Sequence, residues 1–307
     1  MPNWKNLLDE TIASGSTYDV LRRKYLKKLH EVTGRNIILY YSGWLQKSIR
    51  GIPESMLFEL NDADKNGFMA TIHELDRSKG LDLLLHTPGG SIAATESLVD
   101  YLRSMFGTNI RAVIPQIAMS AGAMVACACQ EILMGKHSSI GPIDPQIYGM
   151  PAHGVLQEFK QAADEIKADP SRVQVWQFII AKYDPTLIGS CQKAIDWSND
   201  MVKQWLTTGM FLGDDNAAAL ADTIVSVLGS PDSMKSHSRH ISMDRAKALG
   251  LKISALEDDD DLQEAVLTVH HACIQTLSST PAFKIIENHR GIAFIQGAGQ
   301  ALAIAGA

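Results

Sequence analysis

The stretch Gln116-Ile-Ala-Met-Ser-Ala-Gly-Ala-Met124 places Ser120 where an extended run stops and a run of small residues begins. A serine hydroxyl at a helix N-terminus, with the next backbone N–H pointing the same way, is the geometry of a nucleophile elbow. Ala121, Gly122 and Ala123 leave room for a substrate carbonyl beside that hydroxyl. The stretch is only half of a G-x-S-x-G pattern, because position 118 is Ala, and serine is also a common innocent N-cap. Pro88-Gly89-Gly90 sits in the same kind of place, between an apolar run and a helical pattern. Its two glycines allow positive φ and close approach to a ligand, although a plain βα turn uses the same residues. The pair says more than either part. Two consecutive βα units bring backbone N–H groups to the carboxyl edge of one sheet, where open α/β sheets bind ligands. Two N–H groups converging on one oxygen form an oxyanion hole.

Those turns need a scaffold, and the periodicity supplies one. Lys5 to Val32 reads as a helix, with Leu7, Leu8, Ile12, Tyr18, Leu21, Tyr25 and Leu29 at helical spacing. Strands are expected at Asn36 to Ser42, Leu81 to His86, Asn109 to Ile114 and Glu131 to Met134, with an extended, Pro-interrupted stretch from Ile140 to Ile147. Between them lie helices at Asp62 to Ser78, closed by Gly80, then from the N-cap Ser91 onward, and at Ser120 to Cys129. This alternation predicts a layered α/β sheet with right-handed crossovers. From Gly154 to about Leu228 the pattern is mainly helical, with breaks near Pro170, Pro185 and Gly209. Two more helices follow at Met243 to Gly250 and Asp261 to Leu277, the latter opening on the acidic run Glu257 to Asp261. No Gly/Ser linker separates the halves.

Composition narrows the function. The chain has 307 residues, 46% of them hydrophobic and 20% charged, which is ordinary globular usage. With 28 basic against 34 acidic residues the net charge is −6, which argues against nucleic acid as the main partner. No run reaches the ~20 apolar residues of a spanning helix, and no apolar signal-peptide core opens the chain, so a cytoplasmic protein is expected. Cys127, Cys129, Cys191 and Cys273 have neither disulfide-framework density nor zinc spacing and read as core residues. Asp62-x-Asp64-x-Asn66-Gly67 imitates the start of a calcium loop, but the twelfth position is His73, so an acidic helix start is the better reading. No metal or cofactor is expected, and no phosphate-binding glycine loop occurs. His237 and His240 read as structural or pocket residues, and His270-His271 as a surface pair on an amphipathic helix.

His86-Thr-Pro-Gly-Gly-Ser91, followed by Ser120 in its Met-Ser-Ala-Gly-Ala setting, resembles the Clp-protease/crotonase superfamily. Within it, Ala118-Met-Ser-Ala-Gly-Ala123 together with Ser139-Ile-Gly-Pro-Ile-Asp-Pro-Gln146 is similar to the serine dehydrogenase proteinase family, relatives of signal peptide peptidase A and of the stomatin-operon-partner protease. The resemblance covers roughly residues 35 to 255. It implies an α/β fold with a ββα-spiral core, a mainly helical C-terminal half and an N-terminal helix, and it implies a serine peptidase. Ser120 matches the nucleophile, Gly90 and Ala121 match the oxyanion donors, and Gly89, Gly141 and Pro142 fall along the substrate groove. A Clp-type triad histidine has no match, since Pro142 stands in its place and His137 comes too early. That departure points to a Ser-Lys dyad. Cys191-Gln-Lys-Ala-Ile195 resembles the dyad-lysine helix, making Lys193 the expected base, with Lys160 and Lys167 as rivals. A lysine base must be desolvated to give up its proton. The chain divides into an N-terminal helical extension (1–34), the peptidase domain (35–255) and a C-terminal helix with an apolar tail (256–307). Peptide or protein substrates are implied, held in a groove that adds a strand along Gly141-Pro142.

The apolar stripe of the first helix and the tail from Gly291 to Ala307 both need cover. They point to a homo-oligomer built on the terminal segments, and the tail would also suit a membrane surface. Two other functions use the same fold: a catalytically inactive partner-binding scaffold, and a crotonase-like acyl-CoA enzyme. The second needs carboxylates near the oxyanion hole, and no acid lies between Pro115 and Cys129.

Overall fold

The computed structural model describes residues 18–48, 57–230, 236–297 and 300–304, the last five through their backbone. In chain order the first half contains α1 (Tyr18–Thr33), β1 (Asn36–Ser42), α2 (Asp64–Ile72), β2 (Leu81–His86), α3 (Ile92–Phe106), β3 (Ile110–Ile114), β4 (Ile117–Ala118), α4 (Ala121–Cys127), β5 (Glu131–Met134) and β6 (Ser139–Ile140). A short hairpin, β7 (Gln146–Ile147) and β8 (Met150–Pro151), leads into α5 (Ala152–Ala168), α6 (Val173–Ile180), α7 (Leu187–Trp205) and α8 (Ala217–Leu228). The chain finishes with β9 (Ile241–Ser242), α9 (Met243–Ala248), β10 (Ile253–Ala255), α10 (Asp260–Ser279), β11 (Ala282–Asn288), β12 (Ala293–Gly297) and β13 (Gln300–Ile304).

Eight strands form one sheet in the order β10-β5-β3-β2-β1-β11-β12-β13. From β10 to β1 the pairs are parallel, and from β1 to β13 they are antiparallel. The parallel part is covered on both faces, as its nearly unbroken apolar strands require. Alternate side chains of β1 go to opposite layers. Ile38 and Tyr40 join a core with α2, α3, α4, α7 and α8, whereas Ile37, Leu39 and Tyr41 join a second core with α1 and α10. A small sheet, β4-β6-β9, stands beside the main one. It meets β2 through a parallel bridge between Thr87 and Ala118.

The α/β fold expected from the alternation is present, with three differences. The helix expected over Asp62 to Ser78 stops at Ile72, and a separate 3-10 turn, Arg77–Lys79, precedes Gly80. The helix expected over Lys5 to Val32 is described from Tyr18; Leu7, Leu8 and Ile12 lie outside the described residues. The described part of its stripe is covered inside the protomer, because α1 packs along α10, Leu21 is buried, and Leu26 and Leu29 are buried in the second core. Arg22 and Arg23 also reach Glu287 of β11. The apolar tail, finally, contains two strands that extend the sheet beyond β11, with Phe294 packed on one core and Ile295 on the other. Leu26, Leu29, Phe294 and Ile295 of the two terminal segments thus pack within the protomer. Among the described residues no helix is long and apolar enough to cross a membrane.

Candidate functional site

Ser120 stands between β4 and α4, at the N-cap of α4, with φ 48° and ψ −114°. A left-handed φ with so negative a ψ costs an L-residue on the order of 1–3 kcal/mol and persists only where the surroundings enforce it. The enforcement is visible on both sides. The Met119 N–H donates to Thr87 O (3.0 Å), Gly122 N–H to Met119 O (2.8 Å) and Met124 N–H to Ser120 O (3.0 Å). Gly122 is required because a Cβ there would stand 2.5 Å from Thr87 Cγ2. The Ser120 hydroxyl does not cap its own helix and has no hydrogen-bond partner among the described residues. The backbone is thus fixed while the reactive atom is left unengaged.

The Pro88-Gly89-Gly90 turn lies directly against it. A Cβ on Gly89, whose φ is 118°, would be 2.7 Å from Ser120 Cβ and 3.2 Å from its Oγ. Gly90 is clamped from behind by Leu60: Leu60 N–H donates to Gly89 O (2.7 Å) and Ser91 N–H to Leu60 O (2.9 Å). A Cβ on Gly90 would overlap the Leu60 backbone at 2.3 Å. In this arrangement the Gly90 N–H is turned away from Leu60. Neither it nor the Ala121 N–H has an acceptor among the described residues. Ser91 caps α3 through the Ala94 N–H, so its hydroxyl is occupied.

Gly141 and Pro142 are both buried, and the Gly141 N–H donates to Ala118 O at 2.9 Å. A Cβ on Gly141 would lie 2.9 Å from Met119 Cα. This stretch braces the strand that leads to Ser120. It differs from the groove edge expected of it, since its one N–H is already engaged and proline has none.

Lys193 is exposed on α7, opposite the face formed by Cys191 and Ile195, and has no partner among the described residues. That half of α7 packs on α5, not on α4. The burial a lysine base requires is missing there, and the rivals Lys160 and Lys167 are exposed as well. The structure instead joins two residues to which no role in the chemistry was given. Asp144, buried just after Pro142, accepts a hydrogen bond from His237 Nδ1 at 2.9 Å. His237 Nε2 has no described partner. The imidazole lines a cleft of about 430 Å³ whose other walls include Pro88, Ile117 and Met119, the neighbours of Gly89 and Ser120. His240 in the same cleft is held by Ser139 Oγ at 2.8 Å. Glu59, beside Leu60, is half-buried; burial raises its carboxyl above the usual range, opposed by Lys284 and His237.

The remaining candidates settle into the core. Cys127 and Cys129 are buried free thiols pushed up to about 12 by burial. Asp64 is buried and ion-paired with Lys284 (2.9 Å), which takes it out of any calcium loop. His270 is not on the surface as expected: it is buried against Tyr41, whose hydroxyl lies 3.2 Å from its Nδ1. Among the described residues no group of His, Cys, Asp and Glu could hold a metal ion.

Two uncharacterized proteins of Methanocaldococcus jannaschii are similar to this chain. One is 27% identical over 257 residues, covering 82% of this chain and 79% of its own. The other is 24% identical over 238 residues, covering 77% and 73%. The sequence pattern of one family matches residues 12–286, from ahead of α1 into β11. The chain belongs to the ClpP-like SDH-type serine proteinase family.

Proposed function

We propose that the protein is a serine peptidase in which Ser120 is the nucleophile and His237, held by Asp144, is the base. Ser120 Oγ attacks the peptide carbonyl as its proton passes to His237 Nε2. The Gly90 and Ala121 N–H groups hold the resulting oxyanion. Collapse expels the amine, which takes the proton back from His237. Water, deprotonated by the same imidazole, then hydrolyses the acyl-enzyme. The observation that carries the reading is Ser120 itself: a strained serine, pinned by its backbone, whose hydroxyl has no structural task. The buried Asp144 carboxylate, which fixes the His237 ring, favours the histidine over Lys193.

Substrates are peptides in extended form, because the reacting carbonyl must enter a narrow gap between two βα turns. An acyl-CoA reading draws one observation to its side, the half-buried Glu59 near the Gly90 clamp. The same experiment separates the two. A fluorophosphonate should label Ser120 in the full chain, found by peptide mass spectrometry. Ser120→Ala should lose both the label and hydrolysis of unfolded casein while staying folded, since the hydroxyl it removes caps nothing and makes no hydrogen bond among the described residues. A folded wild-type chain that neither takes the label nor cleaves casein defeats the peptidase reading.

A further inference from the structure

Behind the Gly89-Gly90 turn lies a buried polar cluster that the chemistry above does not use. Lys284, on β11, is fully buried and donates to Asp64 Oδ1 (2.9 Å), Asp64 Oδ2 (3.0 Å) and the Glu59 carbonyl (2.8 Å). Asp64, at the start of α2, also accepts from the Tyr40 hydroxyl (2.9 Å) and the Asn61 N–H (3.1 Å). The neighbouring Ser42 hydroxyl donates to the Phe58 carbonyl at 2.7 Å. Backbone groups on either side of Leu60 are thus tied to buried side chains of β1, β11 and α2. Leu60 in turn holds the turn through Gly89 O and Ser91 N–H. A second arm reaches the turn directly. Thr87 Oγ1, at the end of β2, accepts the Gly89 N–H at 3.1 Å.

Stability is a poor reason for this arrangement. A buried ion pair costs its desolvation, and a well-packed apolar pair is often as stable or more so. Burial indeed lowers Lys284 below the lysine range despite the opposing pull of Asp64. What the cluster supplies is direction, because Lys284 holds the Glu59 carbonyl and Asp64 the Asn61 N–H, on either side of Leu60, while three further bonds among Lys284, Asp64 and Tyr40 fix those side chains. We propose that Lys284, Asp64 and Tyr40 are positioning residues that set the Leu60 backbone and so aim the Gly90 N–H at the oxyanion. This rests on the reading of Gly90 as an oxyanion donor.

The test combines Lys284→Met with Asp64→Leu in the full chain, so that neither charge is left alone, and uses Tyr40→Phe as a milder second variant. Amide hydrogen exchange of the peptide spanning 87–91 is measured beside kcat and KM for casein-derived peptides. Opening of the clamp should speed exchange at Gly89 to Ser91 by about tenfold or more, leaving β3 and β5 protected. The kcat should fall by about 10- to 100-fold with KM within about twofold, the pattern of a lost transition-state interaction. Tyr40→Phe should move both readouts the same way by less. Wild-type exchange at 87–91 in the folded double variant overturns the proposal, as does a rise spread evenly through β3 and β5. If the double variant does not fold, unchanged exchange and kcat in Tyr40→Phe overturn it. Exchange is readable without turnover, so a wild type that fails to cleave or label defeats the peptidase reading while the positioning claim is still decided by exchange.

Discussion

Gly89→Ala should disable the protein by a route that can be worked from the coordinates. Gly89 has φ 118°, which an L-residue occupies at a cost on the order of 1–3 kcal/mol. The added methyl would stand 2.7 Å from Ser120 Cβ and 3.1 Å from Met119 O. Carbon pairs rest at about 3.5–4.0 Å, so Ser120 and the turn must separate by roughly 1 Å. A shift of that size at the reacting centre costs about 100-fold in rate, or about 2.7 kcal/mol of transition-state stabilisation. The strain itself should lower the melting midpoint by several degrees, at about 2–4 °C per kcal/mol in a chain of this class. Gly107→Ala is the control. Gly107 also has a left-handed φ, 61°, but nothing lies within 4 Å of the new Cβ. It should lose a comparable part of the melting midpoint and none of the activity. The assay is kcat/KM on a fluorogenic peptide, with circular dichroism to establish folding. A folded Gly89→Ala chain whose kcat/KM stays within about threefold of wild type, less than 1 kcal/mol, would refute the packing of this turn on the nucleophile.

Other expectations follow from the same geometry. His237→Ala should reduce kcat by about 10⁴-fold or more, as loss of a triad member does, and Lys193→Ala should leave it unchanged; the reverse ranking returns the base to α7. Glu287→Gln should cost about 3–5 kcal/mol in denaturant unfolding, because it removes the buried negative charge that faces Arg22, and should leave kcat alone at low temperature; a loss below about 1 kcal/mol would mean that Asp19, 2.8 Å from Arg22, balances the guanidinium by itself. His86 and His270 are held neutral by burial, His86 down at about 3, with both His86 ring nitrogens lacking partners among the described residues. Below pH 6.5 the unfolded chain binds protons that the folded chain refuses, so stability should be complete above 6.5 and fall as pH drops, by about 1.4 kcal/mol per unit for each histidine. His86→Phe should remove one of those slopes, and an unchanged pH profile of the unfolding midpoint would contradict its burial as a neutral ring.

The sequence carried four of the five parallel strands plainly, because β1, β2, β3 and β5 are short apolar runs between turn signals, whereas the three-residue β10 has no such pattern. It did not carry β11. Ala282 to Asn288 is buried along its whole length, yet it contains Lys284, Glu287 and Asn288. Polarity places such residues at the surface. Their partners lie far away in the chain: Asp64 for Lys284, Arg22 for Glu287, and the Thr71 carbonyl for Asn288. His270 misleads in the same way, since its cover comes from Tyr41 and His86 on neighbouring strands. The site divides along the same line. Ser120, Gly89 and Gly90 were legible because each turn is written in adjacent residues. Asp144 and His237 are 93 positions apart, and no spacing links them. The one available sign was an acid immediately after Gly141-Pro142, in a stretch that braces the strand before Ser120.

That division has a physical cause that bears on the chemistry. A strained serine cannot hold itself in place, because at φ 48° its own preferences oppose the conformation. The opposing free energy comes from Thr87 accepting the Met119 N–H, from Gly122 admitting the Thr87 methyl, and from Ala118 accepting the Gly141 N–H. The first two join the end of β2 to the elbow, and the third joins the stretch after β6 to it. Local sequence therefore fixes which residue is strained, while two other segments, around Thr87 and Gly141, supply the force that keeps it so. Thr87→Val keeps the carbonyl and the methyl of these contacts and removes only the hydroxyl that accepts the Gly89 N–H, so it should loosen the Gly89 turn against Ser120 and show as slower fluorophosphonate labelling of a folded chain. Labelling at the wild-type rate would mean that the elbow holds its shape without the Thr87 hydroxyl, and that its bond with the Gly89 N–H is dispensable.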